Sequence, residues 1–554
     1  MRTTILTTFG AVIVAATVSA QTTTPATLRL TVDDAVKMAL DHNIDLNVDR
    51  LDPQISDTRV AAAAGAFKPT FNTNVQRNSA LQPPSSFLFP VATSNDAVSS
   101  NAGMAQRLPW FGTTYNIGWT ATHTDSNSFL NSYNPLVQSG LSLNVSQPLV
   151  RDLSIDAART QLATSRTNRD IADTRLRESI VHTTANVKTA YWGLVTAIAN
   201  VEARKSALAL SQELVRVNKA KVDVGTSPPL DLVSAQAEVA ANQEQLIIAE
   251  TAVKQVEDRL RLLIYDTTQR DTWNVKIEPS DTPPVATVPI DVDAAVTRGL
   301  SERADLARAR KEIDNSKVGL KYANSQKLPD VRLNAGYQAN RLGGTQVLRS
   351  GGFPGTIVGP GDAIGFGNVL NQLFASNFPT WTVGVSVSYP IGQSIEQANA
   401  ARAKLEQSQS QERLKSSEAR AIQQIRDAAW KIEMNGKRIE TTRAASELAE
   451  QRLDAERKRL EVGMSTSFLV IQAQRDLAQA KTNELGAVLA YDLALVDFEA
   501  LQEAGPAGAL ASALAGNTST PAQPTLAGAG AAAAAVAPAA AAVTRATGIP
   551  GVPQ

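Results

Sequence analysis

The side chains that most often carry chemistry are sparse in this sequence. Its three histidines, His42, His123 and His182, lie far apart and fall in different predicted element types, so we expect each to be solvated or packed singly and not to bind a metal. No phosphate-binding glycine loop and no nucleophile elbow occurs. The glycine-rich stretch 343–367 does not join a strand to a helix with the required spacing, and we interpret it as a mobile loop. The sequence therefore predicts no cofactor and no enzyme, with a catalytic triad assembled from distant residues as the alternative.

The charge balance and the lack of cysteine exclude further classes of function. The chain has 53 basic and 53 acidic residues, and this balance gives no electrostatic reason to expect nucleic acid as a partner. Because the sequence has no cysteine, it cannot form disulfides, thiolate metal sites or an anchor on a lipidated N-terminal cysteine.

The N-terminal segment has the pattern of a secretory signal peptide. Arg2 supplies a positive charge, residues 5–18 are apolar or small, and Val18-Ser19-Ala20 resembles a signal-peptidase site. An uncleaved anchor is the alternative, but the apolar stretch is shorter than the roughly 20 residues that a spanning helix needs. We predict residues 1–20 to be a signal peptide and the mature chain to be exported. At the other end, the composition of residues 505–554 predicts a disordered Ala/Pro/Gly-rich tail.

A long helical pattern occurs twice, 238 positions apart. A repeat of this length predicts an internal duplication, in which each copy builds the same unit. The matching positions are Trp192 and Trp430, Val224-Gly225 and Val462-Gly463, and Ala235-Gln236 and Ala473-Gln474.

Each copy is dominated by helices without proline. A helix over residues 151–224 would be roughly 110 Å long at ~1.5 Å per residue, whereas helices of globular proteins average about 11 or 12 residues. After each Val-Gly turn, apolar and small residues recur at alternating spacings of three and four, which predicts a coiled-coil seam. The seam comprises Leu232, Ala235, Val239, Asn242, Leu246, Ala249, Val253, Val256, Leu260 and Leu263 in the first copy, and Val470, Ala473, Leu477, Ala480, Glu484, Ala487, Tyr491, Ala494, Phe498 and Leu501 in the second. An antiparallel hairpin and a tube wall of several helices both satisfy this periodicity.

Four short segments alternate between apolar and polar residues, which puts one set of side chains on each face of a strand. A soluble sandwich and a membrane barrel with lipid on its apolar face are the two alternatives. Trp381 and Tyr389 cap the apolar row of the last segment and, with Tyr337, are candidates for an aromatic girdle. Four strands cannot close a barrel, because about eight are needed, so a membrane barrel would have to be shared between chains. The segments lie at residues 71–76, 141–146, 331–338 and 381–389, and residues 102–129 are interpreted as an elaborated hairpin or loop.

The order of these elements resembles the TolC-like outer-membrane efflux protein family. Each copy holds a short helix, a strand hairpin, a long helix, a Val-Gly turn and a returning helix, and the resemblance covers almost all of residues 28–503. It rests on the opening Leu-Thr-Val-Asp-Asp-Ala-Val-Lys-Met-Ala-Leu, on strand-to-helix junctions at Pro148 and Pro390, and on the two Val-Gly turns.

The resemblance implies a mostly α fold with β structure. Long antiparallel coiled-coil helices would form an α-barrel, and a homotrimer with four strands per chain would form a twelve-stranded transmembrane β-barrel. The implied function is the exit duct of a tripartite efflux pump or type I secretion system, a passive conduit across the periplasm and outer membrane. The implied partners are a periplasmic adaptor (membrane fusion) protein, an inner-membrane transporter and outer-membrane lipid. A periplasmic coiled-coil scaffold or adhesin without channel activity is the alternative.

The predicted domains follow from the two copies. The first repeat is expected at residues 28–280, with strands at about 67–148 and a helical hairpin at about 150–265. The second is expected at residues 288–504, with strands at about 329–390 and a helical hairpin at about 392–503.

The resemblance places both Val-Gly turns at the periplasmic tip, where the family meets its adaptor. The candidate contact residues are Val224, Gly225, Thr226, Val462, Gly463 and Met464. Termination of the helices by left-handed glycines is the alternative role, and both roles can coexist. Family members carry acidic residues around a closed aperture in the second copy, but Leu469 and Gln472 stand there in this chain, and the first copy has Asp231. These three are the candidate gate residues, and we expect closure by apolar or amide side chains.

Overall fold

The structure is a computed structural model, and it describes residues 27–84, 91–128, 131–266, 268, 270–282, 289–352, 355–375, 378–389, 391–392 and 394–506. Through Gly505 these residues form one compact unit. The predicted signal peptide, residues 1–20, and all but the first two residues of the predicted tail lie outside the described residues.

Long helices and one large sheet account for most of the described chain. In chain order the elements are β1 (Thr27–Leu30), α1 (Val32–His42), α2 (Ile44–Asp49), α3 (Leu51–Gly65), β2 (Thr70–Gln82), β3 (Thr93–Arg107), β4 (Thr114–Ser126), β5 (Tyr133–Pro148), α4 (Ala157–Asp223), α5 (Pro229–Ile264), a 3-10 helix (Arg270–Asn274), β6 (Lys276–Pro279), α6 (Val292–Glu302), α7 (Ala304–Gln326), β7 (Asp330–Ser350), β8 (Thr356–Ile364), α8 (Phe366–Phe374), β9 (Pro379–Ser388), α9 (Ile395–Glu461) and α10 (Ser467–Glu503).

Four of these helices form two long hairpins, α4–α5 and α9–α10. Helices α4 and α9 each have 67 residues, and the returning helices α5 and α10 have 36 and 37. The outgoing helices begin at side-chain caps, because Asp156 accepts a hydrogen bond from the Arg159 N–H at 2.8 Å and Ser394 Oγ accepts one from the Gln397 N–H at 3.3 Å. In the part of the chain that the structure describes, no helix is both long enough and apolar enough to cross a membrane.

The predicted seam holds the returning helices against the outgoing ones. Every seam position of α5 and α10 is buried or half-buried, so the alternating spacing of three and four is confirmed. The completely buried positions include Leu260 and three alanines, Ala235, Ala473 and Ala487, whose small side chains let the helices approach closely.

The short helices pack against the middle of the long ones. Arg308 on α7 donates a hydrogen bond to the buried Glu178 of α4 at 2.9 Å, and Arg303, just before α7, donates to Gln424 of α9 at 3.0 Å. Burial raises the pKa of Glu178, while the charge of Arg308 opposes the rise. Helix α7 is therefore tied to both hairpins.

The described residues form a seven-stranded sheet in which the order is β2-β3-β4-β5-β7-β8, with β9 also paired to β7. Strand β9 pairs with β7 from Asp330 to Ala339, and β8 pairs with the same edge from Gly344 to Ser350. The described sheet is thus six strands wide where β9 pairs with β7, and again around Gly344 and Thr345, where β8 takes the place of β9. The expectation of four strands per chain is wrong, because the β3–β4 hairpin lies between β2 and β5 and pairs with both.

The glycine-rich stretch 343–367 is not the loop that we expected. Strand β7 continues into it as far as Ser350, and β8 and the start of α8 follow, with residues 353–354 outside the described residues. A Cβ atom on Gly343 would lie 2.3 Å from Val369 Cγ2, so glycine at this position lets α8 pack on the sheet. Gly343 is therefore part of a packing contact between the sheet and α8.

The sheet has two chemically different faces, which the strand registers define. The apolar face carries Phe71, Val75, Ala102, Met104, Ile117, Trp119, Leu141, Leu143, Leu333, Tyr337, Trp381 and Val385. The polar face carries Asn72, Asn74, Asn101, Asn116, Thr120, Ser142, Asn144, Asn334, Gln338, Thr382 and Ser386. We call these the apolar face and the polar face below.

Candidate functional site

The two Val-Gly turns, at residues 224–225 and 462–463, end the outgoing helices in the same way. Gly225 has φ +76° and Gly463 has φ +78°, in the left-handed region that glycine adopts without a steric penalty. The next residue donates back to the helix in each case, from the Thr226 N–H to the Lys221 carbonyl and from the Met464 N–H to the Arg459 carbonyl, both at 2.8 Å. Both turns are therefore Schellman caps, which confirms the helix-terminating role of the glycines.

The turns expose apolar side chains to solvent. Val224 is 73% exposed, Val462 71% and Met464 79%. Two residues that the sequence analysis missed belong with them, because Leu230 and Phe468 at the starts of the returning helices are each 70% exposed. They could have been found as large apolar residues at helix starts outside the seam. Exposed apolar groups concentrated at one end of long helices are typical of a protein-binding surface.

Polar contacts hold the two turns side by side. The fully buried Asn218 of α4 donates to the Asp231 carbonyl at 3.1 Å and accepts from the Ser467 hydroxyl at 3.0 Å. The Lys221 ammonium donates to the Leu460 carbonyl at 2.9 Å. These bonds join both turns into one surface, which we call the tip.

The three candidate gate residues lie at the tip but have different surroundings. Asp231 lies in the first turn of α5, and its carbonyl takes part in the Asn218 contact. Leu469 is 43% exposed, and its N–H donates to the Thr466 hydroxyl that caps α10. Gln472 donates to Asp476 at 2.9 Å, and this carboxylate also accepts from Arg452 of α9 at 2.9 Å. The nearby carboxylate of α10 is thus paired within the hairpin.

The predicted girdle aromatics lie on the apolar face or next to it. Trp381 pairs with Tyr337 across β9 and β7, and Trp381 is 73% exposed. Tyr389 is exposed and follows the last residue of β9, so it lies just outside the strand.

The described residues contain no group of three or more His, Asp or Glu side chains that could hold a metal. His123 lies 3.3 Å from Asp125 on β4, and His182 is a half-buried side chain of α4. Burial lowers the pKa of His182, which keeps the imidazole neutral at physiological pH.

Comparison with known proteins agrees with this geometry. The family model described as outer membrane efflux protein matches residues 96–264 and 296–502, well over half of the chain. No curated protein sequence matches it.

Solved structures resemble the chain over most of its length. The CmeC outer membrane channel of Campylobacter jejuni is 15% identical with a TM-score of 0.61, over 85% of each chain. The outer membrane protein VceC of Vibrio cholerae is 15% identical with a TM-score of 0.58, over 85% of this chain and 96% of that one. The MtrE outer membrane channel of Neisseria gonorrhoeae is 17% identical with a TM-score of 0.55, over 86% and 89%. At these identities the likeness shows a common fold.

Proposed function

Because the chain belongs to the outer membrane efflux protein family, we propose that three copies form the exit duct of a tripartite efflux pump or type I secretion system. The duct is a passive conduit in which the sheets form a membrane barrel and the helical hairpins form a tunnel across the periplasm. The two halves of the chain are copies of one unit, and their outgoing helices of equal length support that origin.

The sheet carries this proposal, because its apolar face has the height of a membrane. Along β7 this face runs from Val331 to Arg341, about 33 Å at ~3.3 Å per residue, or about 25 Å at a tilt of roughly 40°. Charged or polar side chains end the apolar rows of two other strands at about the same level, with Arg77 on β2 and His123 on β4. An outer-membrane barrel has an apolar band of ~25 Å flanked by polar groups.

A soluble scaffold with a sandwich of sheets does not fit the same face. The apolar side chains Val383, Val385 and Val387 of β9 are all more than 60% exposed, and no second sheet covers them in the described chain. A sandwich would bury them against another sheet.

The tip is the proposed contact with a periplasmic adaptor protein, which would link the duct to an inner-membrane transporter. Its exposed apolar residues suit the apolar surface of a coiled-coil partner. The proposed gate consists of Asp231, Leu469 and Gln472, with closure by apolar and amide groups.

The membrane role is tested by reconstitution. The detergent-solubilised protein is expected to be a trimer in light scattering and to form conducting pores in planar lipid bilayers. A monodisperse monomer that stays soluble without detergent and never conducts would reject the proposal.

The tip role is tested in cells. A gene deletion first identifies the drugs, metals or secreted proteins whose export depends on the chain. Gly463→Val is then expected to reduce that export at least tenfold with trimer yield unchanged, because valine at φ +78° distorts the turn. Gly463→Asn is the matched control, since asparagine tolerates the left-handed conformation, and Gly225→Val with Gly225→Asn repeats the test on the other turn. Normal export by both valine variants would reject the tip assignment.

A further inference from the structure

We propose that the β3–β4 hairpin is part of the barrel wall, so that a trimer closes eighteen strands and encloses a pore about 1.5 times as wide as a twelve-stranded one. Where β9 pairs with β7, from Asp330 to Ala339, the described sheet is six strands wide, and three copies supply three times six. The factor follows because barrel diameter grows roughly linearly with strand number. The inference rests on the proposed trimeric membrane function and names the pore that this function uses.

The hairpin is paired as fully as the strands on either side of it. Strand β2 pairs with β3 from Thr70 to Gln82, and β4 pairs with β5 from Thr114 to Thr124. Among the described strands, β2 and β5 do not pair with each other. A four-strand wall would require those two strands to meet and would leave the hairpin outside the wall. The observed pairing places the hairpin between them.

The side chains of the β3–β4 hairpin alternate between apolar and polar, as the strands of a barrel wall do. Ile117 on β4 lies between Met104 of β3 and Leu143 of β5 in the apolar face. Asn116, one residue earlier, pairs with Asn144 in the polar face. A loop standing free in water has no reason to continue an apolar row in register with its neighbours. Lipid on one side and water on the other requires this alternation.

The polar face of the hairpin is suited to line a pore. From the strand ends nearest the helices to Leu342 of β7, the charged residues of this face on the six described strands are Arg107, Asp330 and Arg332. All three lie at the helix-proximal end, and Arg332 is paired with Asp330 at 2.8 Å. The remaining lining consists mainly of amide, hydroxyl and small groups, which hydrate without attracting ions of one sign.

Six strands also satisfy the geometry of closure between copies. In an antiparallel sheet the first and sixth strands run in opposite directions, so β9 of one copy and β2 of the next are antiparallel when they meet. Among the described residues of one copy, no further strand pairs with the outer edges β2 and β9, and Val75 and Val383 on these edges are 68% and 64% exposed. A lipid-exposed open edge is not tolerated in a membrane. We therefore expect the β2 edge of a second copy of this chain to pair with the β9 edge.

Thiol labelling tests the position of the hairpin, and the natural absence of cysteine makes each variant a single-thiol protein. Asn116→Cys and Ile117→Cys are compared in trimers reconstituted into lipid vesicles, with a charged, membrane-impermeant methanethiosulfonate as the probe. We expect Asn116→Cys to react at least tenfold faster than Ile117→Cys. The matched reference is Asn144→Cys against Leu143→Cys, which lie at the same level on β5.

The outcomes separate this inference from the proposed function. Fast labelling of the polar-face cysteine and slow labelling of the apolar-face cysteine, on both β4 and β5, support the eighteen-stranded wall. Alternation on β5 with fast labelling of both hairpin variants overturns the inference and leaves the membrane duct intact. No alternation on β5 rejects the membrane function itself.

Electron cryomicroscopy of the detergent-solubilised trimer gives an independent count, with eighteen strands expected. A closed wall of twelve strands, with the β3–β4 hairpin outside it, would overturn the inference even if the trimer conducts.

Discussion

The two halves of the chain agree in their helices and differ in their strands. Helices α4 and α9 have the same length, and their terminal glycines have φ values within two degrees of each other. In contrast, the described first half gives four strands to the large sheet, while the described second half gives β7, β8 and β9 with the helix α8.

The difference shows that helix length is constrained in this molecule and that strand number is not. Helix length is fixed in both halves because the two turns must end at the same level, where the contacts of Asn218 and Lys221 join them. Strand number is free as long as each half returns its chain to the helices, and an extra hairpin satisfies that condition. The three predictions below test how strictly the helical match is required, from the largest expected effect to the smallest.

Shortening one helical hairpin is expected to have the largest effect. Deletion of residues 442–448 and 480–486 removes one heptad from each of α9 and α10 and shortens that hairpin by about 10 Å while keeping its seam in phase. The turns then end at different levels, so the cross-tip hydrogen bonds are lost. We expect export to be abolished and trimer yield to fall sharply in light scattering.

The compensating variant makes this test specific. Further deletion of residues 204–210 and 242–248, the positions 238 residues earlier, shortens the first hairpin equally. Trimer yield should recover, whereas export should stay low because the duct is shorter. If the first deletion alone left trimer yield unchanged, the two halves would not be tied by their tips.

Loss of the buried tip contact is expected to have an intermediate effect. Asn218→Ala removes one hydrogen bond to Asp231 and one from Ser467, which together stabilise the tip by about 2 kcal/mol at roughly 1 kcal/mol each. The position 238 residues later is Glu456, a half-buried group that bonds within its own turn region to Ser465 at 2.6 Å. The melting temperature measured by thermal unfolding should decrease more for Asn218→Ala than for Glu456→Ala. Equal decreases would mean that the cross-tip bonds add nothing to the turns themselves.

The smallest effect is a change in pH dependence. Burial raises the pKa of Asp492 on α10 to about 7, and this side chain is 3% exposed. The ionised form is therefore less stable in the folded state than in the unfolded one, so the cost grows as pH rises from about 4 and is complete above about 7. Asp492→Asn should raise the melting temperature at pH 8 and leave it nearly unchanged at pH 4.

The matched position in the first half provides the control. It is Lys254, which is exposed, so Lys254→Gln should change the melting temperature little at either pH. A pH-independent gain for Asp492→Asn would show that the carboxyl has the same pKa in the folded and unfolded states, as a solvated group does.

The helices could be predicted because their signals are local. The seam repeats every seven residues, and each Val-Gly turn carries its own cap, so neither needs knowledge of the rest of the fold. Strand β3 gives no such signal, because its sequence from Thr93 to Ala102 is mostly Ser, Asn and Ala and shows no clear alternation. Only its pairing with β2 and β4 reveals its place in the sheet.

The tip was predicted in part for the same reason. Its glycines were evident, but the role of Asn218 depends on Ser467, 249 residues away in sequence. A polar residue in a helix is usually exposed, and burial by a distant partner leaves no trace in the local pattern. The paired environment of Gln472 likewise depends on α9.

The open edges of the sheet have a consequence for the life of the chain before assembly. Strand β9 exposes four large apolar side chains from Trp381 to Val387, and the exposed Tyr389 follows it. No residue of the strand after Pro379 carries the charge or bulge that protects the edges of soluble sheets. A single copy in water is therefore an aggregation hazard whose edges template further strands. The unassembled copy must therefore be short-lived, so its delivery to the membrane and its assembly have to keep pace with its synthesis. Overproduction of the protein should by itself be toxic to the cell.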